Sequence, residues 1–391
     1  MILFFWITGI SLALIWLAPV IESAVYGHRV TTITDPKWAP PPGHNLPSLS
    51  AVVPARNEAA AIEPAVRSLL ALDYPSLSVV VVNDRSTDST GEILDRIAEA
   101  EIAATAKLRL IRVRELPPGW LGKTHAMWVG GRQTQSDWIL FTDADCVFRE
   151  DALRRAIFYA EQTCTDHLVV MPTMLTQNWG EAMMIGFLEV AGAFAVRPWK
   201  VPDPEARDFI GAGAFNLVRR SAYEQIGTFE ALRMEIVDDL KLGETIKRAR
   251  FRQDVVLGPG LVSLRWFEGV LGLMRNVEKN MFALLRFRVS LVMGACLGLL
   301  FVNVWPFLGL LVAPNWTRAP FAVAIALIAV RYRQNQHVSG VPAIAFVANP
   351  LAAVLTAAAA LRSAFAVLRD GAVTWRGTKY SLDELRKASR R

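Results

Sequence analysis

The sequence is poor in cysteine and histidine, the residues from which disulfide frameworks and zinc sites are built. Its 391 residues include three cysteines, Cys146, Cys164 and Cys296, and five histidines. Because the cysteines form no CxxC pair and the histidines no HExxH motif, neither a disulfide framework nor a zinc site fits. No GxGxxG follows the first apolar strand, which argues against a dinucleotide oxidoreductase.

Basic residues are also spread too thinly to indicate nucleic-acid binding. The net charge is +6, and no Lys/Arg block is dense enough to form a nucleic-acid surface. Attraction to anionic headgroups explains a modestly basic, membrane-attached chain better. We therefore expect no nucleic-acid partner, and the sequence indicates no particular protein partner.

Hydrophobic residues, in contrast, are abundant, and their excess lies at the two ends of the chain. They make up 53% of the sequence. Residues 2–21 carry no charge and are long enough to cross a bilayer core. This stretch lacks the basic start and cleavage site of a signal peptide, which favours an uncleaved membrane anchor. Residues 289–313 predict a second span, and 319–330 and 341–368 are weaker candidates.

The distribution of charge and proline divides the chain further. Basic residues directly after the first span predict, by the positive-inside tendency, a protein of the cell (inner) membrane whose next domain is cytoplasmic. If the basic tail is also cytoplasmic, one of the last two apolar segments is re-entrant or interfacial. The predicted regions are an anchor (1–24), a proline-rich linker (25–48), an α/β domain (49–261), an amphipathic interfacial region (262–288), a transmembrane region (289–368) and a basic tail (369–391). For residues 262–288, a core helix with a solvated basic face is the open alternative.

From Leu49 onward, short apolar strands alternate with helices. The predicted strands are Leu49–Val53, Val79–Val82, Leu108–Val113 and Trp138–Thr142, and the predicted helices are Asn57–Ala71, Gly91–Ala104 and Thr124–Gln135. Strands this apolar indicate a mostly parallel sheet covered by helices on both faces. Ligands of such sheets bind at the carboxyl ends of the strands, so polar residues that follow a strand are site candidates.

Two carboxylates, Asp143 and Asp145, follow the fourth strand. On an extended backbone their side chains would point to the same side and would repel each other unless a cation lay between them. Carboxylate oxygens are suitable ligands for a hard divalent cation such as Mg²⁺ or Mn²⁺. Taken alone, the motif is equally consistent with a solvated turn at the end of a strand.

Polar residues follow the other strands too. Arg56 and Glu58 come after the first strand, and Asp84 after the second; each suits nucleotide binding or the start of a helix. Lys123 ends the segment Pro118–Lys123, where backbone amides and an ammonium group can meet a phosphate. A tight turn with a surface lysine is the alternative there.

A glycine loop and an acid pair come later in the chain. Gly211 and Gly213 form a loop with accessible backbone, and Asp238 and Asp239 follow it. Adjacent side chains point in different directions, so one aspartate can be structural while the other faces a cleft. The alternative for this pair is the acidic start of a helix.

The order of these features over about residues 49–285 resembles the inverting glycosyltransferases of family 2, which have a GT-A fold. The chain is most similar to the membrane-anchored branch that includes ceramide glucosyltransferases and the hopanoid- and carotenoid-associated glycosyltransferases. That branch has one N-terminal span, C-terminal spans and a tail like residues 373–380.

The resemblance implies an α/β fold with a mostly parallel, mixed, Rossmann-like sheet plus transmembrane helices. It implies transfer of a hexose from a nucleotide-diphospho-sugar, with a UDP-sugar expected, to a hydroxyl of a lipid or polyprenoid. The implied roles are donor binding by Pro54, Arg56, Glu58, Asp84, Lys123 and Asp143; Mg²⁺ or Mn²⁺ binding by Asp145 and Asp143; an acceptor side at Gly211, Gly213 and Asp238; and general-base catalysis by Asp239.

One family motif, (Q/R)xxRW, is missing, because Val262 stands at its first position before Arg265-Trp266. Its absence weakens the alternative of a processive polysaccharide synthase or its subunit. It also leaves Arg265, Arg275 and Lys279 as candidates for supporting the leaving diphosphate. A catalytically silent nucleotide-binding or scaffold protein is the other alternative, disfavoured because the acidic residues of the motifs occur together.

Overall fold

Strands and helices alternate through the middle of the molecule, and both ends are helical. The structure, a computed structural model, describes residues 1–104, 107–192, 194–375 and 378–388. The strands are β1 (Leu49–Ala55), β2 (Leu77–Asp84), β3 (Leu108–Val113), β4 (Trp138–Phe141), β5 (Val147–Phe148), β6 (His167–Met171), β7 (Thr173–Met174), β8 (Asn216–Arg219), β9 (Gln253–Leu257), β10 (Val262–Leu264), β11 (Ala372–Trp375) and β12 (Thr378–Ser381).

The α-helices vary widely in length, from single turns to segments long enough to cross a bilayer. They are α1 (Ile2–Tyr26), α2 (Ile62–Leu70), α3 (Thr90–Ala104), α4 (Gly122–Arg132), α5 (Ala152–Gln162), α6 (Trp179–Gly192), α7 (Arg220–Gln225), α8 (Thr228–Ala231), α9 (Asp238–Arg248), α10 (Gly269–Leu284), α11 (Val289–Asn303), α12 (Trp305–Val312), α13 (Ala319–Ser339), α14 (Asn349–Asp370) and α15 (Leu382–Ala388).

Seven strands form the main sheet, in the order β3-β2-β1-β4-β8-β6-β9. The first four neighbours in this order are parallel, β8 runs antiparallel to both β4 and β6, and β9 is parallel to β6. Both faces are covered, since Val79 and Val81 of β2 pack in one hydrophobic core and Val80 and Val82 in the other. The predicted mostly parallel, mixed sheet is confirmed, and its apolar strands are explained by burial on both sides.

The first predicted helix starts later than expected. The sequence pattern placed its start at Asn57, but α2 begins at Ile62. Asn57 has a positive φ of 55° and its side chain accepts a hydrogen bond from the Thr87 amide at 2.8 Å. The segment after β1 is therefore held as a loop against the segment after β2.

A second, three-stranded sheet has the order β5-β10-β7. Its middle strand, β10, contains the first residues of the region 262–288, which was predicted to be amphipathic. The helix of that region, α10, begins only at Gly269. The chain thus remains part of the α/β layer through residue 264 before it enters the helical part.

The helical part packs around α6, α10, α13 and α14, whose apolar side chains share a core with Trp16 of α1. Within the described residues, Ile2–Arg29 and Ala343–Asp370 are long and apolar enough to cross a membrane. The expected span 289–313 is broken into α11 and α12, which are bent by 48°. Pro306 lies in the first turn of α12, where its missing amide hydrogen favours such a break.

The C-terminal tail returns to the α/β domain. Val373 and Tyr380 of the β11–β12 hairpin pack in one core with Leu121 and Ile236. The described tail therefore packs against the α/β domain. Arg376 and Gly377, which belong to the tail motif noted in the sequence, lie outside the described residues.

Glu181 of α6 connects the helical part to the α/β domain. Its buried carboxylate accepts hydrogen bonds from the Gln177 amide at 2.7 Å, the Gly269 amide at 2.8 Å and the Arg265 guanidinium at 2.9 Å. Burial alone would raise the pKa of Glu181, but these donors lower it to about 2. The charged carboxylate therefore holds α6 against the start of α10.

We expect Glu181→Ala to lower the midpoint of thermal unfolding in detergent by about 5 °C, because two part-buried amides and the Arg265 guanidinium lose their acceptor. Glu268→Ala is the matched control, since its side chain, 84% exposed, pairs with the same Arg265 and contributes little. Because the pKa of Glu181 is depressed in the folded state, its contribution is present above pH 4.5, the ordinary value, and lost as the pH falls toward 2. Equal midpoints for the two variants would contradict this role.

Candidate active site

The loops after β1 and β2 form one edge of the site. The Glu58 amide donates to the Thr90 hydroxyl at 2.8 Å, and the Ala59 amide donates to the Asp88 carboxylate at 3.2 Å. Pro54 lies near the end of β1, with Arg56 and Glu58 directly after that strand. These predicted nucleotide-binding residues are therefore positioned by side chains of the neighbouring loop.

Asp84, the last residue of β2, is fully buried between arginines. Arg85 donates to both of its carboxylate oxygens, at 2.7 and 3.0 Å, and Arg56 approaches to 3.8 Å. Gly122, the first residue of α4, packs so closely that a Cβ there would lie 2.3 Å from an Asp84 carboxylate oxygen. Arg85 was not predicted as a partner of Asp84, and the segment Pro118–Lys123 was selected without the close packing of its Gly122 against Asp84.

Lys123 joins two parts of the site that are distant in sequence. Its ammonium group lies 2.8 Å from Oδ1 of Asp143 and 3.4 Å from Oδ1 of Asp238. The side chain is buried, so the alternative of a surface lysine on a turn does not hold. One cation therefore links the carboxylates after β4 with those at the start of α9.

The Asp143–Asp145 segment is a turn and does not continue the strand. β4 ends at Phe141, and the chain turns at Ala144 and Asp145. The expectation that extended backbone places both carboxylates on the same side is therefore wrong here. The Asp143 amide donates to the Gly213 carbonyl at 2.9 Å. Burial, and then the charge of Asp143, raises the pKa of Asp145.

The glycine loop, residues 211–213, lies between Asp143 and Asp239 and is in close contact with both residues. A Cβ at Gly211 would lie 1.9 Å from the Asp239 carbonyl oxygen, and a Cβ at Gly213 would lie 2.3 Å from Oδ2 of Asp143. No other residue type fits at these positions without displacing the acids. The glycines thus allow Asp143 and Asp239 to approach a common backbone segment.

Asp238 and Asp239 begin α9 and point in different directions. Asp239 accepts from the Gly213 amide at 2.9 Å and from the Leu240 amide at 2.8 Å. Asp238 faces Lys123, and its Oδ2 has no hydrogen-bond partner among the residues that the structure describes. Burial raises the pKa of both carboxyl groups, that of Asp238 to about 7. The pair is at once a helix start and part of the site.

Of the residues proposed to support a leaving diphosphate, the two whose side chains are described, Arg265 and Arg275, make no ion pair with these acids. Arg265 pairs with Glu181 and Glu268, and Arg275 is exposed on α10. The side chain of Lys279 lies outside the described part of the structure. In the residues that are described, no contact connects Arg265 or Arg275 with Asp143.

The assembled site is strongly acidic. Asp143, Asp145, Asp238 and Asp239 surround the buried ammonium of Lys123. Such a cluster can bind a divalent cation together with phosphate oxygens, and an aspartate whose pKa is raised by burial can accept a proton.

Residues 50–227 match the model of the family described as Glycosyl transferase family 2. The 4,4'-diaponeurosporenoate glycosyltransferase of Staphylococcus aureus (strain USA300) is 24% identical over 349 residues, covering 87% of this chain and 90% of that protein. A mannosyltransferase from Pyrobaculum calidifontis, solved in complex with GDP-Man and Mn²⁺, matches with a TM-score of 0.51 and 20% identity, covering 94% of this chain and 99% of that chain.

The matched family region contains the residues predicted to bind the donor, and the structural match shows a GT-A fold. The curated relative aligns over most of both chains. Residues 50–227 are therefore a family 2 glycosyltransferase domain, and the chain is a glycosyltransferase that resembles carotenoid glycosyltransferases.

Proposed function

We propose that this chain transfers a hexose from a nucleotide-diphospho-sugar, in the first instance a UDP-sugar, to a hydroxyl of a lipid or polyprenoid acceptor, with inversion at the anomeric carbon. The observation that carries the proposal is the buried Lys123 ammonium, which lies between Asp143 on the donor side and Asp238 beside the proposed base. Donor and acceptor groups thus belong to one connected site.

On the donor side, Pro54, Arg56, Glu58 and Asp84 would hold the nucleotide, and Lys123 would lie next to the phosphates. Asp145, with Asp143, would hold Mg²⁺ or Mn²⁺. The fit of a divalent cation to these two residues is supported by the hardness of their carboxylate oxygens and by the raised pKa of Asp145 beside a second carboxylate. When bound, the cation neutralises charge on the leaving diphosphate.

The described residues include no group of three or more His, Cys, Asp or Glu side chains that could hold a metal by themselves. A site built on Asp143 and Asp145 would therefore need oxygens from the donor to complete it. This makes the proposed binding of cation and donor mutually dependent, which is a measurable property.

On the acceptor side, Asp239 would accept the proton of the attacking hydroxyl. The amides of Gly213 and Leu240 orient its carboxylate, and burial raises its pKa. Asp238 would keep Lys123 in place through its own contact with the ammonium group. General-base assistance of this kind is worth about 10²- to 10⁴-fold in rate.

A lipid acceptor is supported by the position of the site relative to the apolar helices. Ile236, close before the acid pair, shares a core with Phe282 of α10, Val292 of α11 and Ala360 of α14. The resemblance to a 4,4'-diaponeurosporenoate glycosyltransferase also supports a lipid or polyprenoid acceptor. We place the reaction at the cytoplasmic face of the cell (inner) membrane, where a lipid hydroxyl and a soluble nucleotide-sugar can meet.

Substitution of the proposed base should affect the rate of sugar transfer, whereas substitution of the proposed cation-binding residue should affect donor binding. We expect Asp239→Asn to bind the donor like the wild type while the rate of sugar transfer falls at least about 100-fold. Asp145→Ala should instead lose the Mn²⁺-dependent part of donor binding, as chelation with EDTA should in the wild type. Calorimetric titration with UDP and GDP, and mass spectrometry of glycosylated lipid formed from a panel of UDP- and GDP-hexoses, measure the two properties.

Normal turnover by Asp239→Asn would refute its assignment as the base. Metal-independent donor binding in the wild type, unchanged in Asp145→Ala, would refute the cation site.

The glycine loop offers a separate test of the geometry. We expect Gly213→Ala to reduce turnover about 100-fold, because the new Cβ displaces the Asp143 carboxylate from its position. Gly192→Ala is the control, since a Cβ there meets nothing within 4 Å. Equal turnover in the two variants would show that the spacing between Asp143 and the loop is unimportant.

A further inference from the structure

Three polar side chains are buried together on one face of the main sheet. His167, Asn216 and Gln253 are the first residues of β6, β8 and β9, and their exposed fractions are 0%, 2% and 2%. β6 lies between the other two strands, and His167 is paired in register with Gln253. Burial of polar groups costs free energy unless they are hydrogen-bonded, so each of these side chains needs partners inside the protein.

The hydrogen bonds between these three side chains have a defined direction. The Gln253 amide nitrogen lies 2.8 Å from His167 Nδ1, and since an amide nitrogen only donates, Nδ1 is the acceptor. The ring proton therefore resides on Nε2, which donates to Asn216 Oδ1 at 3.1 Å. Burial lowers the pKa of His167 to about 4, so the ring is neutral near neutral pH, as this arrangement requires.

The polar relay formed by these three side chains binds the backbone around the start of the glycine loop. Next to the loop, the Ile210 amide donates to Gln253 Oε1 at 3.0 Å, which fixes the orientation of the side-chain amide. Within the loop, the Ala212 amide donates to Asn216 Oδ1 at 3.3 Å. Residues 210–212 belong to no helix or strand, so these side chains supply hydrogen bonds that regular secondary structure would otherwise provide.

Gly213, the last residue of the glycine loop, binds two acids of the site. Its amide donates to Asp239 Oδ2 at 2.9 Å, and its carbonyl oxygen accepts from the Asp143 amide at 2.9 Å. A Cβ at Gly211 would lie 1.9 Å from the Asp239 carbonyl oxygen, so the loop packs directly on the backbone at the start of α9. By fixing residues 210–212, the polar relay therefore also fixes the amide that orients the Asp239 carboxylate.

We propose that His167 is a positioning residue for sugar transfer, which holds the glycine loop, and through its Gly213 amide the Asp239 carboxylate, in the orientation that accepts the acceptor's proton. The inference rests on the proposed function, in which Asp239 is the base. Because the ring of His167 is fully buried, it contacts no substrate and acts through the loop. Displacement of a reacting group by 1 Å can lower a rate about 100-fold. The nucleotide side of the site, at β1 and β2, is separated from β6 by β4 and β8 and should keep its position.

The test measures sugar transfer and donor binding for the same variants of the full-length protein in detergent. Donor binding is titrated calorimetrically with UDP and GDP in the presence of Mn²⁺. Transfer is followed by mass spectrometry as glycolipid formation from a cell lipid extract and the UDP- or GDP-hexose that the wild type uses. We expect His167→Phe to lower kcat at least about tenfold, while KM for the nucleotide-sugar and Kd for the nucleoside diphosphate stay within about twofold. His167→Gln should recover most of the lost kcat, because its amide nitrogen can replace Nε2 as the donor to Asn216.

Tyr74→Phe is the matched control, since it removes the hydrogen bond of another buried side chain, from the Tyr74 hydroxyl to the Pro47 carbonyl at 2.6 Å. We expect this variant and His167→Phe both to unfold at a lower temperature than the wild type, but only His167→Phe to lose kcat. If His167→Phe does not fold, Asn216→Ala, which removes the carboxamide that binds the loop, should show the same loss of kcat at unchanged donor affinity.

A double substitution shows whether the polar relay acts through the base. We expect Asp239→Asn combined with His167→Phe to transfer sugar no more slowly than Asp239→Asn alone. A further tenfold loss in the double variant would overturn the inference. So would wild-type kcat in folded His167→Phe, or a loss of donor affinity as large as the loss of kcat. If the wild type itself transfers no hexose, the proposed function fails and the inference with it, a result that is evident before any variant is compared.

Discussion

The buried ammonium of Lys123 is the interaction on which the rest of the site depends. Four carboxylates from two distant parts of the chain lie close together, and their mutual repulsion would be severe in a buried position. Lys123 reduces that repulsion by contacting one carboxylate of each pair. The glycines of the 211–213 loop then allow the pairs to approach without intervening side chains. Removing either feature would separate the proposed donor side from the proposed base.

A second constraint is the shared core between the site and the apolar helices. Leu121 and Ile236 precede Lys123 and the acid pair, and both pack with side chains of α10, α11, α14 and the C-terminal hairpin. Glu181 adds a charged contact between α6 and α10. A site that packs against apolar helices, among them α14 with the length to cross a membrane, is consistent with the proposed lipid acceptor.

Much of the fold was predictable because it rests on local patterns. The apolar runs of β1 to β4 are the signature of strands buried on both faces, and all four were anticipated. The late start of α2 was not, because it depends on a positive φ at Asn57 and on hydrogen bonds to another loop. Likewise, β10 is too short to show a period of its own and is defined by its neighbours β5 and β7.

The site residues likewise divide into those that local sequence patterns reveal and those that they do not. The acids and glycines were found because they follow strands or precede a helix, and their order resembles one family. Arg85 was missed although it directly follows Asp84, because it folds back onto that carboxylate at a residue with a positive φ of 56°, which local spacing does not reveal. The central claim, sugar transfer to a membrane lipid, is tested most directly by mass spectrometry of lipid extracts from cells producing the wild type or Asp239→Asn at equal levels. We expect a hexosylated lipid only with the wild type. Identical lipid profiles, or the same product with both proteins, would contradict the account.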